Sequence, residues 1–137
     1  MTRYVLDACA LMAALKGEKG ASVVKAAFDE ADKGSAKIII HKANLMEVYY
    51  DLYRNFGKDK ANAILTEIKK RPIHIIAEIS DELFEEAGRL KSTYKISFAD
   101  SFALAQAIVS DGALLTSDHH EFDVIEGKER INFAWVR

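Results

Sequence analysis

Tyr4-Val5-Leu6-Asp7-Ala8-Cys9-Ala10-Leu11 carries the reading of the fold. The run over 4–6 is apolar without a break, too short for a helix, and stops on a carboxylate. A strand covered on both faces needs such a run, because neither face meets water. Four more runs have the same character, over 37–40, 73–76, 113–115 and 133–136. Between them, apolar residues recur at three- and four-residue spacing over roughly 8–15, 21–33, 43–55, 59–70, 81–92 and 98–110, with a short helix near 119–126. Ser80 before Asp81-Glu82 marks a helix start, and Asp111-Gly112 ends the long helix before the fourth strand.

Strands alternating with helices predict an α/β fold, with a mainly parallel five-stranded sheet and helices on both faces. Pro72 is the only proline, the seven glycines are scattered, and no repeat or linker appears, so residues 1–137 read as one domain. Right-handed crossovers bring ligands to the carboxyl ends of the strands. Functional residues are therefore expected just after strands, or at helix ends facing that edge.

Composition narrows the function. Half the residues are apolar and 29% are charged, as in a globular protein whose core needs no disulfide or structural metal. A single cysteine, Cys9, excludes an internal disulfide and fits a reducing compartment. The N-terminus carries no signal-peptide core, and no window reaches the roughly 20 apolar residues that cross a bilayer. These features predict a cytoplasmic protein with no membrane association. The net charge of −2 excludes a protein that holds nucleic acid by bulk positive charge. Any contact with RNA must be local or assisted by cations.

Several acids meet the positional test. Asp7 follows the first strand, where it also suits a helix N-cap. Asp100 sits in Phe98-Ala-Asp-Ser-Phe-Ala-Leu-Ala-Gln-Ala-Ile-Val109, a helix apolar almost all round. A lone carboxylate there is costly unless it is paired, hydrogen-bonded or metal-bound, although Ser97-x-x-Asp100 also resembles a capping box. Asp118 ends Leu114-Leu-Thr-Ser-Asp118, in which Thr116 and Ser117 are placed to orient carboxylates and which also reads as plain turn chemistry. Glu47 lies off the stripe of Leu45, Val48, Tyr49 and Leu52, and its periodicity reads as a solvated surface residue. Asn44, one turn earlier, either caps this helix or supports Glu47. Clustered carboxylates of this kind repel until a hard cation arrives, and Mg²⁺ or Mn²⁺ is the cation that such oxygen donors select.

The same residues resemble a known family, the PIN domains, and in particular the small VapC toxin ribonucleases. Residues 4–11 resemble its opening motif, with Asp7 as the first metal-site acid. Ala43-Asn44-Leu45-Met46-Glu47-Val48-Tyr49 is similar to the second motif, which supplies Glu47. Residues 97–105 are similar to the third, with Asp100, and Leu114 to Asp118 followed by Phe122 resembles the fourth. The resemblance spans nearly the whole chain with order and spacing intact. It implies a three-layer α/β/α sandwich, Mg²⁺ or Mn²⁺ as cofactor, RNA cleavage, a homodimer, and a cognate VapB-like antitoxin. It also moves Glu47 from the surface to the site, which helix geometry does not do.

The stretch Asp118-His119-His120-Glu121-Phe122-Asp123 departs from the family pattern, and Asp123 is a candidate to replace or assist Asp118. His119 and His120 have no partner at zinc-ligand spacing and read as solvated loop residues, whereas His41 and His74 read as structural. Arg54, Lys58, Lys60, Lys69, Lys70 and Arg71 read as a solvated face, and Tyr49, Tyr50, Tyr53 and Phe56 as core or dimer interface. A receiver domain is excluded because Asp7 has no acidic neighbour. A haloacid-dehalogenase-like phosphatase would carry an Asp where Cys9 stands, and neither nucleotide-binding glycine pattern occurs. The remaining alternative is a PIN-like module that binds protein or RNA without cutting.

Overall fold

The computed structural model describes residues 1–137. In chain order the elements are β1 (Thr2–Leu6), α1 (Ala8–Lys16), α2 (Ala21–Asp32), β2 (Ala36–His41), α3 (Lys42–Phe56), α4 (Lys58–Lys69), β3 (Ile73–Ile76), α5 (Asp81–Thr93), α6 (Phe98–Ser110), β4 (Ala113–Thr116), α7 (His119–Phe122) and β5 (Asn132–Trp135). The five strands form one sheet in the order β3-β2-β1-β4-β5. Every pairing is parallel, with Val5 of the central strand beside Ile39 on one side and Leu114 on the other.

The unbroken apolar strands follow from what covers them. Leu6, Ile38, Ile40 and Leu115 face a core shared with Leu11, Val24, Phe28, Leu45 and Val48 of α1, α2 and α3. Their neighbours Val5, Ile39 and Leu114 face the opposite core, with Leu83 and Leu90 of α5, Phe102 and Leu104 of α6, and Phe122. Side chains alternate between faces along a strand, so two covered faces demand apolar residues at every position. Each such side chain contributes about 1.5–3 kcal/mol on burial. Helix α6 lies deepest, with Ser101 through Ala107 all buried, as its nearly uniform apolarity requires.

Helix α6 stops at Asp111, which adopts the left-handed conformation at φ 51°. Gly112 then passes so close to β1 that a side chain would come within 3.2 Å of the Arg3 carbonyl oxygen. The Asp-Gly punctuation thus serves both the helix end and the approach to the sheet.

Several elements differ in extent from the sequence expectation, with β1 opening two residues earlier at Thr2 and β2 running from Ala36 to His41. Helix α7 ends at Phe122, not near 126, because Phe122 and Ile125 are both fully buried and the chain turns to bury the second. Strand β5 begins one residue earlier, at Asn132, in register with Ala113.

The strand order sets the place of the site. The chain runs outward from β1 through β2 to β3, then returns to the other side of β1 as β4. This reversal opens a crevice at the carboxyl ends of β1 and β4, where α/β sheets take their ligands.

Candidate active site

Asp7 enters the crevice from the end of β1 and is buried at 3% exposure. One carboxylate oxygen accepts the Ala10 N–H at 2.9 Å, which makes Asp7 the N-cap of α1. The other accepts the hydroxyl of Thr116, at the end of β4. The same hydroxyl accepts the Asp118 N–H at 3.0 Å, so Thr116 ties the first acid to the loop that carries another. The half-buried Ser117 lies in the same loop, but Thr116 makes the contact with Asp7.

Asp100 and Asp118 are held in the same manner. Asp100 accepts the Ser97 N–H at 3.4 Å while Ser97 accepts the Asp100 N–H at 3.0 Å, closing the capping box of α6. Asp118 caps α7 by accepting the Glu121 N–H at 3.1 Å. Each aspartate is thus fixed by a helix start, and the partial positive charge of α1 and α6 there offsets part of its own.

Glu47 comes in from the first turns of α3 and is half-buried. The helix itself is capped by His41, whose Nδ1 accepts the Ala43 N–H at 3.0 Å. Asn44 therefore does not cap the helix. Its amide donates to the Ala99 carbonyl at 2.9 Å, joining α3 to the turn that bears Asp100, and its buried side-chain oxygen has no partner.

The electrostatics bring the four acids into one neighbourhood. Burial, opposed by the bonds from Thr116 and Ala10 and reinforced by the charges of Asp100 and Asp118, pushes Asp7 up to about 7. Glu47 is raised by burial and then by Asp100 and Asp118. Asp100 is raised chiefly by burial, against its bonds to Ser97, and further by Asp118 and Glu121. Cys9 is exposed, yet crowding of its thiol, followed by the charges of Asp7, Asp118, Glu47 and Asp100, pushes it up to about 12. A thiol so far from ionisation is no nucleophile.

The remaining candidates lie apart. Asp123 is exposed and faces His119, with 2.8 Å between its carboxylate and Nδ1. His119 is not simply solvated, because its Nε2 also reaches the Arg137 carbonyl at 2.8 Å and its ring stacks on Trp135 at 3.8 Å. His120 is exposed. The sequence reading missed Glu121, whose charge reaches Asp100. Asp118-x-x-Glu121 is the spacing that could have revealed it, since it repeats the capping-box pattern of Ser97 and Asp100.

A family model for the PIN domain matches residues 4–128. The chain belongs to the PIN domain family. Among solved structures, this PIN domain is similar to VapBC2 from Rickettsia felis bound to a promoter DNA fragment, with a TM-score of 0.76 and 20% identity over 98% of each chain. It is similar to DNA-bound VapBC from Salmonella typhimurium, with a TM-score of 0.74 and 12% identity over 100% of both chains. It is also similar to VapC20 from Mycobacterium tuberculosis, a toxin that cleaves the sarcin-ricin loop, with a TM-score of 0.59 and 18% identity over 80% of this chain and 84% of that one. At such identities the likeness is one of fold. No curated protein matches the sequence.

Proposed function

We propose that this PIN domain is a divalent-metal-dependent endoribonuclease, the VapC-like toxin of a toxin–antitoxin pair. The carrying observation is the gathering of Asp7, Glu47, Asp100 and Asp118 in one neighbourhood, where burial first, and the charges of Asp100 and Asp118 after it, push Asp7 up to about 7. A scaffold gains nothing from that repulsion, so the crowding disfavours a PIN module that only binds.

The donors fit Mg²⁺ or Mn²⁺. Every one is a carboxylate oxygen, as hard cations select. The partnerless oxygen of Asn44 adds a buried acceptor one turn from Glu47 on α3. No three His, Cys, Asp or Glu side chains converge tightly enough to enclose an ion alone. A cation that keeps several of its waters suits this looser set. When bound, a divalent cation supplies Lewis acidity and charge neutralisation toward a phosphodiester.

The chain's own groups do the rest. Asp7, Asp100 and Asp118 present oxygens from three helix starts, and Thr116 locks the orientation of Asp7. Glu47, the least constrained of the four, completes the set or orients the water that attacks phosphorus. The sarcin-ricin loop activity of VapC20 supports RNA as the substrate class.

The VapBC relatives support a VapB-like antitoxin as partner. A groove of about 520 Å³ is available to such a chain, lined by Leu11, Leu15, Phe28 and Ile64 together with Lys25, Lys60, Glu67 and Arg71. The exposed Tyr53 and Phe56 of α3 support a homodimer. No helix is long and apolar enough to cross a membrane.

The test is cleavage of unstructured RNA with Mg²⁺ or Mn²⁺, with and without chelator, by wild type and Asp100→Asn. Cutting that needs both the metal and Asp100 is the expected result. Equal cutting in all samples points to a contaminating nuclease and overturns the reading.

A further inference from the structure

Glu47 opens a stripe along α3 that the acid cluster does not explain. Positions three and seven residues onward return to nearly the same face of a helix, so Tyr50 and Arg54 follow Glu47 in line. At about 1.5 Å per residue they lie roughly 4.5 and 10 Å from it along the axis. Tyr50 is 47% exposed, and the Arg54 guanidinium carbon lies 5.5 Å from the centroid of its ring.

This pair is free where its neighbours are engaged. The Tyr49 hydroxyl donates to Asn62 at 2.6 Å, and Tyr53 packs edge-on against Tyr49. Asp51, one residue from Tyr50, is matched by Lys16 at 2.9 Å. Arg54 takes part in none of the protein's ion pairs. An uncompensated cation, about two helical turns from Glu47, is therefore held over one face of an exposed aromatic ring that lies about one turn from it. In a chain of net charge −2, it offers a polyanion local attraction on the way to that crevice.

Resting on the nuclease reading, we propose that Tyr50 and Arg54 form a binding track for single-stranded RNA beside the acid site. Tyr50 stacks an unpaired base flanking the scissile phosphate, and Arg54 neutralises a neighbouring backbone phosphate. Stacking on an aromatic face tolerates any base but requires it to be unpaired, so the track selects single-stranded segments over duplex.

The test measures cleavage of a short unstructured oligoribonucleotide by wild type, Tyr50→Ala, Tyr50→Phe and Arg54→Ala. Binding is followed by fluorescence anisotropy in the Asp100→Asn background, and oligomeric state by light scattering. Tyr50→Ala is expected to raise KM and Kd about five- to hundredfold with kcat nearly unchanged, and Tyr50→Phe to restore both. Arg54→Ala is expected to weaken binding and flatten its log–log salt dependence by about 0.7, the share of one phosphate contact. Wild-type binding and KM in both alanine variants overturn the track. Variants that lose self-association while their RNA affinity is unchanged assign the stripe to contact between copies, which also overturns it. If wild type itself does not cut RNA, the nuclease reading fails, and the anisotropy series separately decides whether Tyr50 and Arg54 bind RNA.

Discussion

The Thr116 hydroxyl donates to the carboxylate of Asp7, across the seam where β4 lies against β1, and accepts the backbone N–H of Asp118. One oxygen thus coordinates two acids from distant parts of the chain. Thr116→Val keeps the shape and removes both bonds. The account predicts a folded protein about 1–2 kcal/mol less stable, with Asp7 driven higher still because a bond that favours its charged form is gone. Cleavage is expected to fall about 10- to 100-fold. Chemical denaturation and initial rates check this, and Thr116→Ser should recover most of both.

Asp7 dictates how stability varies with pH. Its folded value of about 7 stands above the ordinary 3.8, so the folded state holds the proton more tightly than the unfolded chain. The contribution of Asp7 to the stability of the metal-free protein is therefore full at low pH, falls as pH rises from about 4 to about 7, and levels off above. Asp7→Asn keeps a good N-cap for α1 and removes the charge. It is predicted to stabilise the metal-free protein at pH 8, with a ceiling on the order of 4 kcal/mol, while abolishing cleavage. Melting curves at pH 5 and pH 8 for both proteins check the sign.

Asn44 links α3 to the start of α6 through the Ala99 carbonyl. Asn44→Ala removes that bond and leaves a buried carbonyl unpaired, so a loss of about 1–3 kcal/mol is expected in urea denaturation. Glu47 and Asp100 ride on the two joined elements, and the variant should lose more activity than Ala substitution of the exposed Asn62.

His119 is predicted to titrate above the ordinary 6.5. The Arg137 carbonyl and then Asp123 raise it, because both face ring nitrogens as acceptors and so favour the protonated ring. Its stabilising effect is present below its unfolded value and is lost as pH rises through the folded one. An NMR titration of its ring proton checks the direction. His119→Gln should loosen the C-terminal residues at pH 6 and do much less at pH 8.5.

Much of this was legible in the sequence. The strands were, because full burial on two faces writes itself as unbroken apolarity in Val5-Leu6, Ile38-Ile39-Ile40 and Leu114-Leu115. The aspartates were ambiguous for a physical reason: Asp7 caps α1, Asp100 closes the capping box of α6 with Ser97, and Asp118, which read also as turn chemistry, caps α7, and those helix starts gather at the crevice. The cap reading and the site reading describe the same atoms. Glu47 was illegible from periodicity, which locates the stripe facing the core and says nothing of a second surface formed by Asp100 and Asp118. His119 read as a solvated loop residue because two of its partners, Trp135 and Arg137, lie on the far side of a turn. Asn44 read either as a cap or as a support for Glu47, because nothing local reveals that its partner is Ala99, 55 residues away.

The claim on which the account rests is that these carboxylates share a cation. Calorimetric titration of Mn²⁺ into wild type and Asp100→Asn at pH 7.5 tests it directly. The account predicts saturable binding to wild type, accompanied by proton release as the raised carboxylates ionise, and its loss in the variant. Equal Mn²⁺ binding by both proteins, or none by a folded wild type, would contradict it.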